Sequence, residues 1–214
     1  MVCMDDVRLA VCEGRQDEVV ELVRSALRDQ VPADSILREG LIPGMQSLGD
    51  QFRDGNAFLP EILISARAMR AALAELRPHL APGSTADQGT VVLGTVAGDL
   101  HDIGKSLVGM LLEGNGFKVI DLGVDVSAET FAVTARDQSA DIVALSALLT
   151  TTTPQFSVVI KTLEETGLRD KVKVLIGGAP VSRALADEVG AEGFAEECVS
   201  AVDEAKRLLG GGAS

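Results

Sequence analysis

An N-terminal four-helix bundle followed by a doubly wound, five-stranded parallel α/β sheet is the fold this sequence predicts. Three observations predict it. Apolar residues recur at helical spacing through residues 1–80, a polar stretch breaks every period over 81–89, and short β-rich runs alternate with amphipathic segments through 90–214.

The first helix is a short piece from Met4 to Cys12. A second starts near Gln16 and sets Val19, Leu22, Val23, Ala26 and Leu27 on one face. Leu37, Leu41, Met45, Leu48 and Phe52 form the next stripe, with a kink expected at Pro43. Leu59, Ile62, Leu63, Ala66, Met69, Leu73 and Leu76 form the last, with Pro60 in its first turn, where a missing N–H is tolerated. Four such helices make a small bundle.

"LAPGSTADQG" (Leu80 to Gly89) then reads as an interdomain linker. Beyond it, "TVVLGTVA", "FKVIDL", "DIVALS", "VKVLIG" and "EGFA" read as strands, each followed by a helix-length segment. That alternation implies parallel βαβ units with helices on both faces. In such sheets ligands bind beyond the carboxyl ends of the strands, where strand order reverses.

The formal net charge of −13 opposes nucleic-acid binding, which needs a basic face. No apolar run approaches the roughly 18 residues of a membrane span, and the acidic start MVCMDD lacks the pattern of a signal peptide, so a cytoplasmic protein is expected. Cys3, Cys12 and Cys198 are widely spaced and form no CxxC, which predicts free thiols.

The first strand ends in "GDLHDIGKS" (Gly98 to Ser106). Three readings of His101 compete there. It caps a loop; or the turn is a phosphate loop with Lys105 and Ser106 as ligands; or the imidazole ligates a metal. A phosphate loop requires four residues between its glycine and GK[ST], whereas Gly98 and Gly104 have five between them. For the metal reading, Asp99 stands where it can take the other ring N–H. The remaining histidine, His79, ends a helix in the other domain. One protein ligand suffices only for a metal already held in a macrocycle.

Asp99-x-His101-x-x-Gly104 resembles the DxHxxG signature of proteins that bind cobalamin base-off, with histidine replacing dimethylbenzimidazole beneath cobalt. From Gly104 there are 41 residues to Ser146-Ala147-Leu148 and 28 more to Gly177-Gly178, in the order of that family's DxHxxG, SxL and GG motifs. "GMQSLGDQFRDGNAFLPEILISARAMRAALAEL" is similar to the helical cap of methyl-carrying corrinoid proteins and of cobalamin-dependent methionine synthase.

The resemblance implies a flavodoxin-like (Rossmann-type) sheet beneath a helical cap, and a cobalamin alternating between methylcob(III)alamin and cob(I)alamin. It makes His101 the cobalt ligand and Asp99 its carboxylate partner. A hydroxyl six residues after the SxL serine extends the relay, here Thr152 within Thr150–Thr153, so which threonine serves stays open. Gly98, Asp102, Ile103 and Gly104 would border the cofactor, whose tail would lie among Ser146, Leu148, Thr150, Gly177, Gly178 and Cys198. Gly177-Gly178 alone also reads as a strand-to-helix turn. Phe52 and Leu59 match residues that cover the methyl-bearing face, and equally suit a plain bundle core.

The implied function is a non-autonomous methyl carrier. One partner methyltransferase would load it from methanol, a methylamine, a betaine or a methoxylated aromatic. A second would pass the methyl to a thiol or a tetrahydrofolate-type pterin, and a reductive activating protein would restore it. Two alternatives remain, the cobalamin subunit of an adenosylcobalamin mutase and a cobalamin sensor. Mutase subunits generally lack the helical cap; sensors carry a DNA-binding module that this acidic chain does not show.

Overall fold

The computed structural model describes residues 2–79 and 88–210, which fall into a helical unit and an α/β unit. Apart from Gln88 and Gly89, the expected linker lies outside the described residues.

The helical unit comprises α1 (Met4–Cys12), α2 (Gln16–Arg28), the single turn α3 (Ala33–Ser35), a π-helical turn (Ile36–Leu41), α4 (Ile42–Arg53), α5 (Leu59–Leu76) and a 3₁₀ turn (Arg77–His79). Helix α1 packs on α4 and α2 on α5. Val7, Val11, Val23, Leu41, Leu48, Ile62, Met69 and Leu76 make the core, so the predicted stripes face inward over most of their length. Just before Pro43, where a kink is expected, the chain widens into the π turn. Pro43 has no N–H to give the Glu39 carbonyl, and the Arg8 guanidinium supplies the donor instead, Nε to O 2.6 Å.

The α/β unit follows the predicted alternation: β1 (Thr90–Thr95), α6 (Ile103–Gly114), β2 (Lys118–Asp121), α7 (Ala128–Asp137), β3 (Ile142–Ser146), α8 (Gln155–Glu165), β4 (Lys173–Gly177), α9 (Arg183–Val189), β5 (Gly193–Ala195) and α10 (Cys198–Leu208). All pairings are parallel, in the order β2-β1-β3-β4-β5. Every residue of β1 is buried, as a strand covered on both faces requires, whereas the edge strand β2 is not. Phe131 and Phe156, from α7 and α8, fill the core on one face against Val92, Val143 and Val174. The order reverses between β1 and β3. In register, Thr95, Ser146 and Gly177 stand side by side at the carboxyl ends, so the loops after β1, β3 and β4 leave from one row.

Candidate functional site

Beyond Thr95 the chain turns sharply. The Asp99 N–H donates to the Val96 carbonyl at 3.1 Å, and Gly98 takes φ +80°, the left-handed geometry that the third residue of a type II turn demands. This turn sends the Asp99 side chain inward, where it is 0% exposed, and leaves the His101 side chain 49% exposed. The buried Thr95 hydroxyl holds the far end of the loop by donating to the His101 carbonyl at 2.8 Å.

Asp99 joins the two loops. Its Oδ1 accepts the His101 N–H at 3.1 Å and lies 2.6 Å from His101 Nδ1. Its Oδ2 accepts the backbone N–H groups of Leu148 at 2.8 Å and Leu149 at 3.3 Å, and the Thr152 hydroxyl at 2.8 Å. Burial alone would raise the carboxyl; the donors from His101, the Leu148 N–H and Thr152 outweigh it and hold Asp99 well below the usual carboxylate range. An ionised Asp99 can only accept, so the proton between them sits on Nδ1, and in a neutral ring Nε2 then keeps the lone pair. Of the four threonines, it is the buried Thr152 that meets Asp99. Thr150 and Thr151 are exposed, and the Thr153 hydroxyl donates to the Thr150 carbonyl at 3.0 Å.

Large apolar side chains stand exposed in these same loops: Leu100 at 73%, Ile103 at 82%, Leu148 at 41% and Leu149 at 42%. Such a cluster beside an imidazole suits a flat, largely apolar ligand. The two motif glycines differ in cause. A Cβ on Gly178 (φ +127°) would lie 1.9 Å from the Ala147 carbonyl oxygen, so the β4–α9 turn needs glycine for its own packing. A Cβ on Gly104 meets nothing within 4 Å, so it would project into open space at the start of α6. Among the described residues no group of three His, Cys, Asp or Glu is placed to hold a metal ion. A metal at His101 would therefore need most of its ligands from a group it arrives with, as a corrin would provide. The residues present fit that group.

The phosphate-loop reading fails on Lys105. Its amine is buried against both oxygens of Asp121 at 2.5 Å and against Asp102 Oδ1 at 2.9 Å, and so faces carboxylates. Asp102 also accepts the Ser106 hydroxyl at 2.9 Å.

Ser146 is half-buried at the end of β3, beside Gly177, as the motif spacing implied. Cys198 begins α10, after the edge strand β5, two strands from β3; burial pushes its thiol up. In the helical unit Phe52 is half-buried, while Leu59 is 45% exposed and Phe58 beside it 64%. The plain-core reading therefore does not hold for Leu59. Sequence reasoning missed Thr95, Leu100 and Leu149. A signal existed for Leu100, an apolar side chain between Asp99 and His101 in a polar, glycine-flanked turn.

The chain matches the B12 binding domain family over residues 89–205, and a second B12 binding domain family over residues 4–77. It is 41% identical to a corrinoid protein of Desulfitobacterium hafniense (strain Y51), across 98% of this chain and 99% of that one. Identity is 42% to the dimethylamine corrinoid protein of Methanosarcina barkeri, across 94% of each. Among solved structures, the methanol:cobalamin methyltransferase complex of Methanosarcina barkeri superposes with a TM-score of 0.87 at 30% identity, covering 98% of this chain and 80% of that one. A cobalamin-binding protein from Desulfitobacterium hafniense DCB-2 gives 0.80 at 28% identity, covering 97% and 99%.

Proposed function

We propose that this chain, which belongs to the B12 binding domain family, carries a methyl group on its corrinoid between two methyltransferases, with His101 Nε2 as the protein's ligand to cobalt. The single observation that carries the ligation is the 2.6 Å contact of His101 Nδ1 with a buried, ionised Asp99. It fixes the tautomer in which Nε2 is the free donor, on a ring half open to solvent. When bound, the corrinoid supplies the methyl-transfer chemistry itself.

This chain's own residues bind and orient. Leu100, Ile103, Leu148 and Leu149 offer the apolar bed, and Gly104 leaves the start of α6 free of a side chain. The Thr152 hydroxyl lies 2.8 Å from Asp99 Oδ2 and 2.9 Å from the Leu149 carbonyl, so its one hydrogen is divided between them. Several donors on Asp99 keep it ionised and so keep its partner proton on Nδ1. Ligation and protonation of Nε2 are then mutually exclusive, which links the state of the cofactor to a proton.

A methylated amine is the proposed methyl source, since relatives at 42% identity are dimethylamine corrinoid proteins; methanol is the second choice, from the solved methanol complex. The match of residues 4–77 to a B12 binding domain favours the carrier over a mutase subunit. The partners are a donor-specific methyltransferase, an acceptor methyltransferase for a thiol or pterin, and a reductive activator.

The test is electron paramagnetic resonance of the protein loaded with cobalamin in the Co(II) state, after growth on isotope-labelled histidine. The nitrogen splitting should follow the label and disappear in His101→Ala. A splitting indifferent to the label would refute histidine ligation. Methyl uptake assayed with dimethylamine, methanol and their respective methyltransferases then decides the donor.

A further inference from the structure

We propose that Asp125 is a positioning residue for His101, acting through the Gly98–Asp99 peptide. Asp125 lies in the connection between β2 and α7, next to Val126, which forms an isolated parallel bridge with Val96. Its carboxylate accepts the Gly98 N–H at 2.7 Å, and its own N–H donates to the Asp99 carbonyl at 3.0 Å. One residue thus grips both sides of the turn that aims Asp99 inward.

The grip has a backbone cost. Asp125 sits at φ +55°, a left-handed conformation that few residues other than glycine adopt and that aspartate tolerates better than most. Glycine would relieve that conformation, but it has no carboxylate. An exposed aspartate kept there, with its oxygen on a turn 27 residues away, fits a residue whose side chain has work in the site.

The chain of action is short. Gly98 N–H sets the plane of the turn, the turn sets Asp99, and Asp99 Oδ1 sets the proton on His101 Nδ1. Thr95 completes the frame from the other side through its bond to the His101 carbonyl, 2.8 Å. Without the Asp125 oxygen, Gly98 loses a charge-assisted bond, and Asp99 gains freedom to leave Nδ1. The inference rests on the proposed role of His101, yet its first readout requires no cofactor.

The experiment compares full-length Asp125→Asn and Asp125→Gly with the parent. In the cofactor-free protein, imidazole nitrogen shifts report the His101 tautomer, and amide exchange reports Gly98. Asp125→Asn keeps an acceptor and should match the parent. Asp125→Gly should raise the minor, Nε2-protonated tautomer about threefold or more, and speed Gly98 exchange about tenfold, which corresponds to about 1.4 kcal/mol. A thermal melt checks that each variant is folded; should Asp125→Gly unfold, Asp125→Ser replaces it. Change in both Asn and Gly variants also supports the inference, with the negative charge required. Parental tautomer and exchange in the glycine variant overturn it. If instead the parent takes up no cobalamin, the corrinoid reading has failed, while the tautomer shift still decides the role of Asp125.

Discussion

The Thr152 hydroxyl reaches Asp99 Oδ2 at 2.8 Å across 53 residues of sequence, joining the loop after β3 to the loop after β1. Both groups are buried, so the bond is protected from exchange with water. Thr152→Val removes the donor at nearly constant volume and should cost about 1–3 kcal/mol in urea unfolding of the cofactor-free protein. Thr152→Ser should recover most of that, and Thr151→Val, at an exposed site, should stay within about 0.5 kcal/mol of the parent.

Gly104 and Gly178 should separate under substitution. Gly178→Ala drives a Cβ into the Ala147 carbonyl at 1.9 Å and should give little folded protein. Gly104→Ala has open space and sits in the first turn of α6, so stability should hold or rise by up to about 1 kcal/mol. Cobalamin uptake by that variant should nevertheless weaken about tenfold or more, as followed by retention on a desalting column and by titration.

Acid stability should depend on Glu204. Arg207 beside it, with Arg183 and the Phe194 N–H, holds its carboxyl at about 2 against an ordinary 4.5, although burial opposes this. A folded-state value below the unfolded one means that the unfolded chain binds more protons in that interval. Stability is therefore full above pH 4.5 and is lost as pH falls toward 2. Asp99, also held low, acts in the same direction. In Glu204→Gln, the drop in urea midpoint between pH 5 and pH 3 should be smaller than in the parent, from a lower starting value.

Lys105→Met should destabilise the α/β unit by about 2 kcal/mol, because Asp102 and Asp121 lose the amine between them while water still reaches both. Chemical denaturation measures this. A loss near zero would mean that water replaces the amine without penalty.

Much of this was legible in the sequence because burial on both faces writes itself as continuous apolar runs, as in Thr90–Thr95 and Ile142–Ser146. Parallel strands leave their loops at one edge, and the motif spacing set Ser146 and Gly177 at the ends of β3 and β4, with Asp99 in the loop after β1. The π turn at Ile36–Leu41 was not legible, because Leu37 and Leu41, four residues apart, suit an α turn and a π turn alike. The exposure of Leu59 was hidden for a similar reason, since periodicity ranks faces and does not say where a stripe runs past the core. Asp125 carries no local signal at all; its bonds to Gly98 and Asp99 exist only after β2 pairs with β1. Lys105 misled in the other direction, its GK[ST] context suggesting anions where the fold supplies aspartates.

Every donor to the Asp99 carboxylate described above belongs to the α/β unit: His101, Leu148, Leu149 and Thr152. Tautomer choice at the imidazole is thus a self-contained property of one module. A graft of this module behind a foreign helical segment should therefore keep its imidazole set.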